Sequence, residues 1–184
     1  MSKLNRDFVV YKNALEWMKL NKLKPEGEEL DEKKLMYEMF DRKFHLIKSG
    51  GFIFAVVAAA NPFSKKDSVE RVLKAAGKYT RMIVASTKTA KQLIPVDNVR
   101  SITSDWLLTN PLEYISAAKY EIVPESELGA IRREMNLASF GALPRIRYES
   151  DPCAFWIDAK RGAVVKVEGY TEDVLSTFHY RIVV

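Results

Sequence analysis

Near the start of the chain, apolar residues recur at three- and four-residue steps: Phe8, Tyr11, Leu15 and Met18, widened by Val10, Ala14 and Trp17. That spacing predicts a helix over about Arg6–Lys22 with one face on a core. Pro25 and Gly27 end it. A second helix is predicted from near Asp31, with acids in its first turn, where the helix dipole favours them. Leu35, Met36, Met39 and Phe40 form its apolar side, and residues of these types at helical spacing read as core.

The pattern then changes from periodic to continuous. Gly50-Gly51 opens the run Phe52–Ala58, which reads as a central strand covered on both faces. Asn61-Pro62 stops it. Asp67 or Ser68 is placed to cap the next helix, whose apolar stripe is Val69, Val72, Leu73 and Ala76. Thr80–Ser86 is a second buried strand. Strand, helix and strand in this order form a βαβ unit, so the two strands are expected to be parallel. Thr89–Leu93 is a short helix candidate and Val99–Thr103 a third strand. Ser104-Asp105 caps a short helix through Leu108, which Asn110-Pro111 ends.

Around Ala118 the texture changes to shorter elements. The expected order is strand Tyr120–Val123, helix Glu125–Met135 and a loop with Gly141 and Pro144. A short helix after Asp151-Pro152 follows, then strands Ala163–Glu168 and Phe178–Val184. The reading is an α/β domain over 1–118 and a small α+β domain over 119–184.

Composition bounds the class. The 184 residues are 47% hydrophobic and 29% charged, a globular balance. The net charge of +5 permits nucleic-acid contact without requiring it. A single cysteine, Cys153, excludes an intramolecular disulfide and a multi-cysteine zinc site, and His45 and His179 stand in no ligand spacing. The longest apolar run, Phe52–Ala60, is nine residues. A membrane-spanning helix needs about 20. The N-terminus lacks the apolar core of a signal peptide. These features predict a soluble protein of a reducing compartment with no cofactor, no metal and no membrane partner.

Signatures of catalysis are scarce. G-x-G-x-x-G, G-x-x-x-x-G-K-S/T, H-E-x-x-H and G-x-S-x-G are all missing. Cys153 reads as a small packing residue. Asp41-Arg42-Lys43 has the D-x-K spacing of metal-dependent nucleases, but at a helix end rather than beside a second carboxylate on a strand. Lys65, Lys66, Arg71, Lys74, Lys78 and Arg81 cluster in one βα unit and read as surface charge. The loop Ser86-Thr87-Lys88-Thr89-Ala90-Lys91 offers hydroxyls and ammoniums, groups suited to phosphate oxygens.

Four segments in order lift the last third of the chain above this general picture. They are Leu143-Pro144-Arg145-Ile146, Asp151-Pro152, Lys160-Arg161-Gly162-Ala163-Val164-Val165-Lys166-Val167 and Tyr180-Arg181-Ile182-Val183. Ahead of them stands Tyr120-Glu121-Ile122-Val123-Pro124-Glu125. The set resembles the jaw/assembly subunit family of multisubunit RNA polymerases, which comprises the fifth-largest subunit in eukaryotes and its archaeal counterpart, which lacks the jaw. Its pattern runs H-E-L/I-V-P-E, L-P-R/K-I, D-P, a K-R-G turn, V-V/I-K-I/V and a closing Y-R-L/I-V. More loosely, Met82-Ile83-Val84-Ala85 with Thr87-Lys88-Thr89-Ala90-Lys91-Gln92 is similar to the jaw domain's strand and its T-P-S-A-K-Q loop.

The resemblance implies a non-catalytic polymerase subunit. Its C-terminal domain would dock on the largest subunit through Pro144, Arg145, Ile146, Arg147, Lys160, Arg161, Gly162, Val164, Lys166, Tyr180 and Arg181. Its N-terminal domain would be a jaw, like a restriction endonuclease fold without the active site. There Thr87, Lys88, Thr89 and Lys91 would face downstream double-stranded DNA. The chain departs from the family at Asp158, where a glycine is usual, and over Glu168–Asp173, which replaces an arginine and an S-E-T-A-G loop. One residue is added between Ile146 and Asp151, and the jaw is short for a eukaryote. Such divergence fits a polymerase of a large DNA virus, and the expected place is the nucleus, a cytoplasmic viral factory or the virion. The alternatives are a free-standing nucleic-acid-binding module and a divergent nuclease using Asp41 and Lys43.

Overall fold

The computed structural model describes residues 3–59, 66–87, 98–113, 118–171 and 174–184. They form two compact units, Met1–Thr109 and Asn110–Val184, each with its own four-stranded sheet.

In the first unit, α1 spans Lys3–Leu20 and α2 Glu32–Arg42. Strands β1 (Phe44–Ser49) and β2 (Phe52–Val57), helix α3 (Lys66–Ala76), and strands β3 (Arg81–Ser86) and β4 (Val99–Thr103) follow. The strands stand side by side in chain order. β1 and β2 are antiparallel, whereas β2, β3 and β4 run parallel, so the expected βαβ unit is present. Every residue of β2 is buried, as its continuous apolar run requires. One face meets α1, where Trp17 stacks on Phe52 at 5.8 Å and sets an edge against Phe54 at 5.6 Å. The other face, Ile53, Ala55 and Val57, packs with Val72 and Ala76 of α3.

Several local expectations change. Asp31 caps α2 by accepting from the Lys34 N–H at 2.8 Å. Of the four apolar residues assigned to that helix's core face, only Leu35 and Met39 are buried. Met36 is 45% exposed and Phe40 77%. Leu35 and Met39 lie one turn apart on a single row, and the neighbouring Met36–Phe40 row points off the core. Lys43 ends the helix with a left-handed φ of 65° and lays its ammonium over the Phe40 ring at 4.9 Å. The chain then enters β1 at once, a strand the sequence pattern does not announce. Gly50-Gly51 is therefore the two-residue turn of a hairpin and not merely the start of β2. Gly50 supplies a φ of 55°, and a Cβ on Gly51 would meet the Thr80 hydroxyl at 2.8 Å. α3 begins at Lys66, so Asp67 and Ser68 lie inside it rather than capping it. Thr103, not Ser104, caps the 3-10 turn Ser104–Leu107. Asn110 opens a further turn, Pro111–Glu113, accepting from the Leu112 N–H at 3.0 Å. The expectations at Asn61-Pro62 and at Thr89–Leu93 lie outside the described residues.

The second unit holds β5 (Lys119–Ile122), α4 (Glu125–Glu134), β6 (Arg145–Ile146), α5 (Pro152–Trp156), β7 (Val164–Thr171) and β8 (Val174–Val183). The strand order is β5-β7-β8-β6, antiparallel except for β6 beside β8. Alternation along β7 sends Val165 and Val167 to one face, with Ile146, Val183 and Ala154 of α5. It sends Val164 to the other, with Val123, Leu143 and Ile131 of α4. The sheet is thus the middle of three layers. The turn Pro111–Glu113 packs on α5, which places the start of this unit ahead of the change of texture at Ala118. β6 falls in what reads as a loop, and β7 and β8 extend their hairpin beyond the expected strand ends.

Candidate functional site

The end of the chain is clamped from both sides. On one side the Ile182 N–H donates to the Pro144 carbonyl at 2.9 Å, the Val184 N–H to Ile146 at 2.9 Å and the Tyr148 N–H to Val184 at 2.9 Å. On the other, the Gly162 N–H donates to the Val183 carbonyl at 2.8 Å and the Val183 N–H to Ala163 at 3.0 Å. Gly162 holds a φ of 84°, which a side chain would strain. Asp158 takes a left-handed φ of 53°, and its carboxylate accepts from Lys160 at 2.6 Å. Aspartate is among the few residues that tolerate this conformation.

This clamp gathers Pro144, Arg145, Arg147, Lys160, Arg161 and Gly162, all exposed, at one end of the unit. Arg161 pairs with Glu149 and lies over the Tyr148 ring at 5.0 Å. Among the described residues, Arg145 and Arg147 have no ion-pair partner. The other expected docking residues separate from this group. Ile146 and Val164 are buried on opposite faces of the sheet. Lys166 and Tyr180 sit on the α4 face, Lys166 with its ammonium 4.6 Å from the Phe178 ring. Arg181 is on the opposite face, with its Nε donating to His179 Nε2 at 2.9 Å. Phe178, exposed beside Tyr180, is absent from the expected set; only the register of β8 reveals it.

Asp151 caps α5, its carboxylate accepting from the Ala154 N–H at 2.8 Å. Burial, and then the Asp151 charge, push the Cys153 thiol up to about 11. The thiolate is the reactive form, so this shift makes Cys153 less reactive near neutral pH.

In the first unit, β2, β3 and β4 end along one edge. Thr87 is half-buried there, directly after β3. Lys88, Thr89 and Lys91 lie outside the described residues, as does Lys65. Ser86 is buried, and its hydroxyl has no partner among the described residues. Thr103 pairs with it in the sheet, and Arg6 of α1 reaches Ser104 at 3.3 Å and pairs with Asp105, tying α1 to the turn that follows β4. Asp7 accepts from the Ala59 N–H at 2.9 Å, and burial raises its pKa against that bond and Arg6. Arg71, Lys74 and Lys78 are exposed, while Arg81 leans over the Phe52 ring at 5.7 Å.

Asp41 is exposed on the last turn of α2, and the Lys43 ammonium donates back to the Phe40 carbonyl. Among the described residues, no three His, Cys, Asp or Glu side chains gather to hold a metal ion. No described helix is long and apolar enough to cross a membrane.

No curated protein matches the chain. Residues 109–183 match the family model described as RNA polymerase Rpb5, C-terminal domain. The matched segment covers β5 to β8 and the clamp apart from Val184. Over this segment the C-terminal unit is similar to the C-terminal domain of RNA polymerase Rpb5.

Proposed function

We propose that the second unit docks on the largest polymerase subunit while the first acts as a jaw beside downstream DNA. One observation carries the docking half: within the family-matched segment, the backbone clamp around Ile182 and Val183 sets Arg145, Arg147, Lys160 and Arg161 at one end of the unit. The exposed guanidiniums of Arg145 and Arg147, which have no ion-pair partner among the described residues, suit carboxylates across an interface, where a bidentate pair also fixes orientation. Lys166, Tyr180 and Phe178 add a second contact area on the α4 face.

For the jaw, support comes from the placement of Thr87 at the carboxyl edge of three parallel strands, with Lys88, Thr89 and Lys91 next in sequence. Contacts to phosphate suit an enzyme that must slide over any sequence. The divergent character of the chain fits a viral polymerase.

Affinity purification of the tagged chain, with partners identified by mass spectrometry, tests the docking half. The expected result is recovery of the two largest polymerase subunits in stoichiometric amount. A chain recovered alone, stable and monodisperse, would sink it.

A further inference from the structure

Strand edges carry unpaired N–H and C=O groups that template pairing with another chain unless they are covered. This protein covers β1: the Lys48 carbonyl accepts from the Glu26 N–H at 2.8 Å, the Gly50 N–H donates to the Glu26 carboxylate at 2.6 Å, and α2 packs alongside. β6, an edge of the second sheet, is only two residues long.

β5, the other edge of that sheet, is different. Its register against β7 pairs Lys119 with Glu168, Tyr120 with Val167, Glu121 with Lys166 and Ile122 with Val165. The Val123 N–H donates to the Val164 carbonyl at 2.9 Å. Antiparallel ladders alternate bonded and non-bonded pairs. With Val123 and Val164 bonded, Glu121 and Lys119 also bond to β7. The N–H and C=O of Tyr120 and Ile122 then point away from it. The far side of β7 agrees, because the Val183 N–H bonds Ala163, putting the odd-numbered positions of β7 on the β8 side. Among the described residues nothing meets the four outward groups of Tyr120 and Ile122.

The side chains on this edge alternate as well. Ile122 is 39% exposed on the α5 face, next to Tyr120, which packs partly on that core. Glu121 is exposed on the α4 face. Two outward backbone positions can make four main-chain hydrogen bonds to an added strand, and the alternating side chains select what that strand presents. An apolar side chain suits the position beside Ile122, and a basic one the position beside Glu121.

We propose that β5 is a strand-addition edge, and that an extended segment of the polymerase chain on which this unit docks joins the sheet there as a fifth strand. This rests on the docking reading above. Hydrogen exchange read by mass spectrometry, on the free chain and on the purified assembly, tests it. In the free chain the Glu121 amide, bonded to β7, exchanges slowly and those of Tyr120 and Ile122 fast. On assembly the latter two slow by about tenfold or more, and Glu121 changes little. Unchanged exchange at Tyr120 and Ile122 in an intact assembly overturns the proposal while leaving docking standing. An absent assembly would instead sink the docking reading. Ile122→Pro deletes one outward N–H but no bond to β7. It is expected to leave the free chain folded by circular dichroism and to recover several-fold less of the polymerase, with Ile122→Ala, which keeps the N–H, in between. Wild-type recovery by a folded Ile122→Pro chain also overturns the proposal.

Discussion

Asp151 shows how much one side chain sets around it. It caps α5, a helix of only five residues, through the Ala154 N–H. A helix this short has little propensity of its own, so its place depends on the cap and on the burial of Ala154, Phe155 and Trp156. Asp151→Ala should cost about 1 kcal/mol, seen as a lower urea midpoint at unchanged slope. The same charge, after burial, is the second cause of the raised Cys153 pKa of about 11, against an ordinary thiol value of 9.0. A thiol whose folded pKa lies above its unfolded one contributes stability that is intact below the unfolded value and lost as pH rises through the folded one. Stability should therefore fall from about pH 9 to about pH 11, and Cys153→Ala should remove part of that fall. A pH series of melting temperatures on both proteins checks it; identical alkaline slopes would show that the thiol contributes nothing.

At the scale of elements, α2 and the hairpin after it separate what pattern reveals from what it hides. Leu35 is buried and Phe40 stands 77% exposed on the same helix. Leu35→Ala should cost about 2–5 kcal/mol by leaving a cavity. Phe40→Ser should stay within about 0.5 kcal/mol. Chemical denaturation of the two variants decides it, and equal losses would mean that Phe40 is covered in the folded chain. β2 and β3 are legible because an unbroken apolar run has one natural place, the middle of a sheet. β1 is not. Its burial neither alternates cleanly nor runs on, and Lys43 rather than glycine makes the left-handed turn that separates it from α2. The proposed docking surface is legible as a set of basic residues around Gly162. That Ile146 and Val164 face inward and that Tyr120 and Ile122 turn their backbones outward depends on strand register. Register is fixed by the whole sheet and cannot be read from one strand.

The molecule as a whole is built on two sheets that share no strand. All four strands of the second sheet pair within residues 110–184, and both faces of that sheet are closed by clusters drawn from the same span. A chain of this length is close to the lower limit for a self-sufficient core, yet domains of about 55–65 residues do fold alone. The fragment 110–184 should therefore unfold in one cooperative thermal transition. It should also displace the tagged full-length chain from the polymerase, because the clamp and the β5 edge both lie within it. What the fragment lacks is the first unit, with Thr87 and the lysines that follow it. Polymerase carrying the fragment should lose crosslinks between this subunit and downstream DNA while keeping its subunit composition. In the full chain, Lys88→Ala and Lys91→Ala should each lower the log–log salt dependence of DNA binding by about 0.9 if each meets one phosphate. A fragment that folds but fails to displace the full chain would move the docking surface into the first unit. A fragment that docks and still crosslinks to DNA would take the jaw role away from it.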